Sequence, residues 1–196
     1  SMPHSIYTLP KVDPKEATFR EYSQRLRALR LKSLQADPGS WISAYESEVN
    51  QPPEFWWNRL KETRAIHHVL VKDDSEKVPC DIHSKLLAGE WLGFVVMIIP
   101  SAEDKTLEYE MSALYIDAQA RGLGLGKRMV QKVIDTVRQH DAKVGEGSPF
   151  CVANVRHGND SALSLYQHLG FLVIDADQIV EKEGKKYHTT EMRFDV

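Results

Sequence analysis

A chain of 196 residues with 42% hydrophobic and 27% charged residues is sized and composed for one globular domain. Its formal charge of -3 argues against a nucleic-acid binder acting through bulk electrostatics. No apolar run approaches the roughly 20 residues of a membrane span.

In chain order, residues 1–12 read as a tag remnant and lead-in, with Ser1 before Met2 a cloning remnant, and 13–196 as the domain. Asp13-Pro14 opens a helix as cap and first helical residue, with Phe19, Tyr22, Leu26, Leu29 and Leu34 at helical spacing up to Ala36. Asp37-Pro38-Gly39 stops it, and Trp41 to Glu48 reads as a short helix or ordered loop. Pro52-Pro53 starts a helix over Glu54 to about Arg64. Ile66 to Lys72 is a strand, residues 73–84 are polar and turn-like, and Lys85–Ala88 with Trp91–Ile99 reads as a strand pair. Leu107 to Asp117 is a strand whose alternation puts Glu110, Ser112, Leu114 and Ile116 on one face. Leu125, Met129, Val133, Ile134 and Val137 form a helical stripe to about His140. A loop over 144–149, a strand over Phe150–Val155 and a helix ended by Gly170 follow. Phe171–Ile174 and Thr190–Phe194 are closing strands joined through the polar EKEGKK. This order makes a mixed α/β (α+β) sheet.

Between the 107–117 strand and the next helix lies Gln119-Ala120-Arg121-Gly122-Leu123-Gly124-Leu125-Gly126-Lys127. The dinucleotide pattern G-x-G-x-x-G fails in both frames, since Lys127 and Met129 stand where glycine is required. The triphosphate loop fails as well, since Arg121 replaces its first glycine and Arg128 its hydroxyl residue. What is satisfied is Q-x-x-G-x-G at a strand-to-helix turn. Its free N–H groups and helix dipole suit a diphosphate, and its glycines permit close approach. Alone, the pattern also fits a bare turn with no ligand.

A second stretch, Asn159 to Ile174, carries N-x-x-A-x-x-x-Y-x-x-x-G-F on Asn159, Ala162, Tyr166, Gly170 and Phe171. Together, over about residues 91–175, the two stretches resemble the GNAT superfamily of acyl-CoA-dependent N-acyltransferases. The resemblance implies a single domain over 13–196 with a central, mostly antiparallel sheet, splayed into a V and flanked by helices. The pantetheine arm of acetyl-CoA would lie in the V. Leu114, Tyr115 and Ile116 would contact the arm and thioester through backbone groups. Gln119, Arg121, Gly122, Leu123, Gly124, Leu125, Gly126 and Lys127 would cradle the diphosphate, and Asn159 would touch the arm. Tyr166 stands where the family commonly places the proton donor to the departing thiolate; helix packing is its other reading. Glu110 matches the position of a catalytic glutamate in some members, and a solvated or amine-binding glutamate fits equally.

The expected reaction is acetyl transfer from acetyl-CoA to a primary amine by direct attack in a ternary complex. The amine must be neutral, so a base helps, and no metal is required. A small amine is favoured as acceptor because no recognition domain is appended. A protein N-terminus or lysine, or a non-catalytic acyl-CoA-binding module, remains open. His67 and His68 read as structural or surface residues, and His188 as a weak candidate for the acceptor mouth. Trp41, Tyr45, Trp56 and Trp57 offer an aromatic acceptor wall, with helix packing the commoner role for Trp56 and Trp57. Arg27, Arg30 and Arg64 read as solvated helix charges. Cys80 and Cys151 are too far apart for a metal motif and read as free thiols of a reducing compartment. The first residues lack a signal peptide's features, so cytoplasm is the expected location, with the nucleus open. The expected partners are acetyl-CoA and an amine, with no nucleic acid or membrane, in a monomer or homodimer.

Overall fold

The computed structural model describes residues 3–11, 15–73, 79, 81–140 and 146–196. In chain order the elements are β1 (His4–Thr8), α1 (Glu16–Ala36), α2 (Tyr45–Glu48), α3 (Pro53–Lys61), β2 (Ala65–Lys72), α4 (Ile82–Ala88), β3 (Glu90–Ile98), β4 (Thr106–Ile116), α5 (Leu125–Gln139), β5 (Glu146–Arg156), α6 (Asp160–His168), β6 (Leu172–Lys182) and β7 (Lys185–Asp195). Among the described residues, seven strands make one open sheet in the order β1-β2-β3-β4-β5-β7-β6. Every neighbouring pair is antiparallel except β4 and β5. No described helix is long and apolar enough to cross a membrane.

Helices cover both faces. On one, α5 buries Leu125, Met129, Val130, Val133, Ile134 and Val137 against Met97, Tyr109, Met111 and Cys151 of the sheet. Each such apolar side chain contributes about 1.5–3 kcal/mol on burial. On the other, Phe19, Tyr22 and Leu29 of α1 pack with Leu86 of α4 over Val69, Val71, Phe94 and Tyr115.

The sheet opens at its parallel seam. β4 and β5 stay in register only as far as Met111↔Ala153. Beyond that point β4 continues with β3 to Gly93↔Ile116, while β5 continues with β7 to Arg156↔Thr189. The inner edges of Ser112–Ile116 and Asn154–Arg156 therefore diverge, which is the splayed V expected from the family resemblance.

Several local readings change. Lys85–Ala88 is helical, not extended. Asp81 caps α4 by accepting from the Ser84 N–H at 2.9 Å. Arg25 donates to the Leu86, Leu87 and Gly89 carbonyls at the helix's other end. Residues 4–8, read as lead-in, form β1, which pairs with β2 from His4↔Lys72 to Thr8↔His68. Glu146–Pro149, read as loop, begins β5. β6 and β7 are also longer than expected and meet at Glu183-Gly184, both at positive φ, which suits a two-residue hairpin turn. Helix α1 begins at Glu16; the expected cap at Asp13-Pro14 lies outside the described residues.

The face assignment along β4 changes as well. Val96 pairs with Ala113 and Met97 with Met111, so Ser112 is an extra, bulged residue. Tyr109 and Met111 join the α5 core, as do Leu114 and Ile116, whereas Ala113 and Tyr115 pack on the α1 side. The bulge thus reverses the alternation. Glu110 faces the α1 side and does not share a face with Leu114 and Ile116.

Candidate active site

A cleft of about 620 Å³ occupies the V and runs from the glycine turn to the seam of the sheet. Of the residues singled out from sequence, it is lined by Glu110, Leu114, Ile116, Arg121, Gly122, Gly124, Leu125, Gly126, Asn159 and Tyr166. Gly122 at φ +78° and Gly124 at φ +73° are both left-handed, and a Cβ at either would meet no atom within 4 Å. Backbone conformation, not crowding, therefore calls for glycine there. Gly124 is the residue before α5, and no side chain caps that helix start. The first N–H groups of a 15-residue helix are thus left to a ligand or solvent, at the positive end of its dipole.

The remaining expected cradle residues do not line the cleft. Leu123 is 60% exposed, and Lys127 is exposed on the first turn of α5. Gln119 turns away toward Glu90, 3.5 Å from its carboxylate. Tyr115 is buried on the α1 side, so only its backbone belongs to the β4 edge. Arg121 lines the cleft with its guanidinium already partnered, donating to the Ile116 carbonyl at 2.9 Å and to Asp37 at 2.7 Å. Asn159 serves as the cap of α6, its side chain accepting from the Ala162 N–H at 3.4 Å.

Tyr166 and Glu110 reach the cleft from opposite sides of the sheet. Tyr166, on α6, is 6% exposed and packs against Phe171 at 5.5 Å in the α5-side core. Burial, then the nearby Cys151 thiol, push its phenol above the ordinary value of 10. The phenol is therefore protonated at neutral pH, and its hydroxyl has no hydrogen-bond partner among the described residues. Glu110 sits on the last paired stretch of β4, opposite Val152. Its side chain is exposed by area, yet the cleft walls still desolvate it. That desolvation, with the charge of Glu108, raises its pKa above 4.5, and Arg64 offsets part of the rise. The Glu110 shift runs toward neutrality, as a base requires, while the Tyr166 shift keeps the proton on the phenol.

Other walls were not legible in the sequence. Arg156 donates to the Pro38 and Trp41 carbonyls at 3.0 and 2.6 Å, tying the end of β5 to the segment after α1. The β6–β7 tip docks on the same side: Lys182 donates to Ser43 at 2.6 Å and Ser47 to Glu183 at 2.7 Å. Trp41 does line the cleft, as expected. Trp56 and Trp57 instead line a separate cavity between α1 and α3, and Tyr45 lines neither space.

The histidines stay out of the cleft. His68 is fully buried between Thr8 at 2.8 Å and Thr136 at 3.2 Å, and His67 is 6% exposed. Burial pulls their pKa values down to about 4 and about 3, so both are neutral at physiological pH. His188 lies in β7, not in a loop, and its partner is Asp177 at 2.7 Å. Arg30 is no solvated charge: its side chain is 13% exposed and grips the buried Glu48. Arg27 donates to the Val49 carbonyl, and Arg64 to the Ile99 carbonyl and Asp104.

Residues 15–171 match the Acetyltransferase (GNAT) family. The chain belongs to that family. Among solved structures, this GNAT chain is similar to the NatC complex bound to Gag peptide and CoA, with 17% identity, TM-score 0.62, and 100% of this chain and 99% of that one covered. A GNAT-family acetyltransferase from Streptococcus pneumoniae shares 15% identity at TM-score 0.62 over 98% and 99% of the two chains. Arabidopsis thaliana NAA60 in complex with acetyl-CoA gives 15% identity and TM-score 0.60 over 98% and 99%. No curated protein matches the sequence. At these identities the neighbours establish the fold: the open, mixed sheet of this GNAT chain is theirs.

Proposed function

We propose that this GNAT protein transfers the acetyl group of acetyl-CoA to a primary amine by direct attack in a ternary complex. One observation carries the reading: a single cleft joins the uncapped start of α5, the unpaired edge of β4, Glu110 and Tyr166. The diphosphate would rest on the N–H groups of residues 122–127. The Leu114 and Ile116 backbone would take up the pantetheine amides and the thioester oxygen, with Asn159 beside the arm. Glu110 removes a proton from the incoming amine, directly or through water. The amine nitrogen bonds the thioester carbon, the carbon–sulfur bond breaks, and Tyr166 protonates the thiolate. Base and acid on opposite faces of the sheet fit attack from one side and departure to the other.

The acceptor enters by a bounded opening. The contacts of Lys182 and Glu183 with Ser43 and Ser47 bridge the mouth on the side of Trp41 and Val180, both cleft residues. A small amine fits such an opening better than a lysine on a folded surface does. An extended chain end is the second reading, and an acceptor panel of small amines and short peptides separates the two.

Calorimetric titration tests the donor. Acetyl-CoA and CoA should bind saturably, with NAD and ATP silent. Gly124→Val should weaken acetyl-CoA binding by about tenfold, because a left-handed β-branched residue costs roughly 1–2 kcal/mol. Silence toward acetyl-CoA and CoA would remove the transferase reading.

Glu110 gives the pH prediction. As a base it must be ionised, so the rate should fall as pH drops through its raised pKa, at a pH above the usual glutamate range. Glu110→Gln should lower kcat/KM about a hundredfold and abolish that acidic limb. A variant that keeps both the rate and the limb leaves Glu110 as a solvated cleft residue.

A further inference from the structure

Beside the cleft wall, on the solvent side of β7, three metal-ligating side chains converge. His157 follows β5, Asp177 lies in β6 and His188 in β7. One ligand atom of each lies within 4.8 Å of the other two. The Asp177 carboxylate is 2.7 Å from His188 Nδ1 and 4.0 Å from His157 Nε2, and the two imidazoles stack at 5.8 Å. All three are exposed, so an ion has free access.

We propose that His157, Asp177 and His188 form a binding site for a divalent transition-metal ion, separate from the acetyl-transfer cleft. Two imidazoles and one carboxylate suit zinc, copper or nickel and disfavour magnesium and calcium, which take oxygen ligands. Bonds of about 2.0–2.2 Å place the ligands of a tetrahedral ion roughly 3.4 Å apart, so each histidine's separation from Asp177 changes by about 0.6–0.7 Å on binding. Side-chain rotation supplies that. His157 Nε2 gives up the bond it donates to the Ala176 carbonyl and His188 Nδ1 the bond it donates to Asp177; each ligating nitrogen loses its proton, and the neutral ring then carries its N–H on the other nitrogen. The fourth position is left to water.

The backbone beneath the three residues is built to hold them. The His157 N–H donates to the His188 carbonyl at 2.9 Å, fixing two of the ligands to each other. Asp177 lies where the β6–β7 register shifts between Asp175 and Gln178, a bulge that re-aims its side chain toward the histidines. Thr190 donates to the Ala176 carbonyl at 3.1 Å, and the Asp177 N–H donates to Asp175 at 3.1 Å, so the backbone leading into the ligand is held in place. The neighbours in sequence, Arg156 and Thr189, line the cleft. A bound ion therefore pins the β6–β7 wall to the end of β5.

The test is calorimetric titration of tag-free protein with zinc chloride, together with melting curves. One zinc per chain should bind in the unsubstituted protein and in His168→Asn, an exposed histidine elsewhere on α6. The binding heat should vanish in His157→Asn and in His188→Asn. Zinc should raise the melting temperature only in the two binding forms. Anomalous diffraction from zinc-soaked crystals of the unsubstituted protein needs no variant to fold, and should place the ion between the three side chains. Absence of saturable binding, equal binding in His157→Asn and His188→Asn, or zinc only at other positions would overturn the proposal. Acetyl-CoA titration reads the cleft separately, so loss of one assignment leaves the other standing.

Discussion

Tyr166→Phe should lower kcat by one-hundred- to ten-thousand-fold while leaving acetyl-CoA affinity and melting temperature unchanged. The substitution deletes one oxygen from a side chain that is 6% exposed and packed against Phe171. That hydroxyl has no partner among the described residues, so its removal breaks no hydrogen bond between them. The ring, which does the packing, is kept. What is lost is a proton held at the α6 side of the cleft. A free thiol has a pKa near 8.5, below that of the buried phenol, so transfer to a solvated thiolate would run uphill. The cleft corrects this, because the burial that raises the phenol also raises a thiolate formed beside it. Donor and acceptor are brought together by a shared low dielectric. Steady-state kinetics and a thermal melt decide the matter. An unchanged kcat would assign Tyr166 to packing alone, and a lower melting temperature would show that the hydroxyl holds the fold.

What the sequence disclosed was local. The Gly122–Gly126 turn, the α5 stripe and the Asn159–Phe171 segment each carry their signal within about a dozen residues, and each folds as expected. The missing pieces depend on partners far along the chain. β1 is an edge strand whose reason for existing is β2, sixty residues on. Leu86 and Leu87 form a short apolar run that reads equally as strand or helix, and the deciding cap, Asp81, is one residue before α4. The bulge at Ser112 leaves no mark in an alternating pattern, yet it moves Glu110 to the other face of the sheet. Glu110 and Tyr166, proposed as base and acid, therefore reach the cleft from opposite faces of the sheet. Arg156 and Lys182 close the cleft through contacts with Trp41 and Ser43, more than one hundred residues away, which no local pattern encodes.

Glu48→Gln should destabilise the protein by about 3–5 kcal/mol, a fall in Tm of roughly 6–20 °C for a chain of this size. Glu48 is 4% exposed and serves two cations. Arg30 donates to both carboxylate oxygens at 3.2 Å, and Arg59 to one of them at 3.0 Å. Burial alone would raise the Glu48 pKa, but the hydrogen bonds and charges of Arg30 and Arg59 outweigh it and hold the pKa below 4.5. Because the folded value is depressed, this stabilisation is complete above the unfolded carboxylate pKa and is lost as pH falls through the folded one. The substitution strands two guanidinium groups that lose their anion while remaining packed on Trp41, Phe55 and Trp56. Replacing Arg30, Glu48 and Arg59 together with apolar residues should cost less than Glu48→Gln alone, since it leaves no buried charge unpaired. The damage should also reach the cleft. Arg30 stacks on Trp41 at 4.8 Å, and Trp41 accepts the Arg156 bond that ties β5 to this wall. Glu48→Gln should therefore raise KM for the acceptor more than for acetyl-CoA, because the glycine turn stands on α5, across the sheet from this network. Urea melts at pH 7 and pH 4, with kinetics on the surviving fold, measure all three effects. Equal stability of the single and triple variants would mean that the ion trio contributes packing and no more.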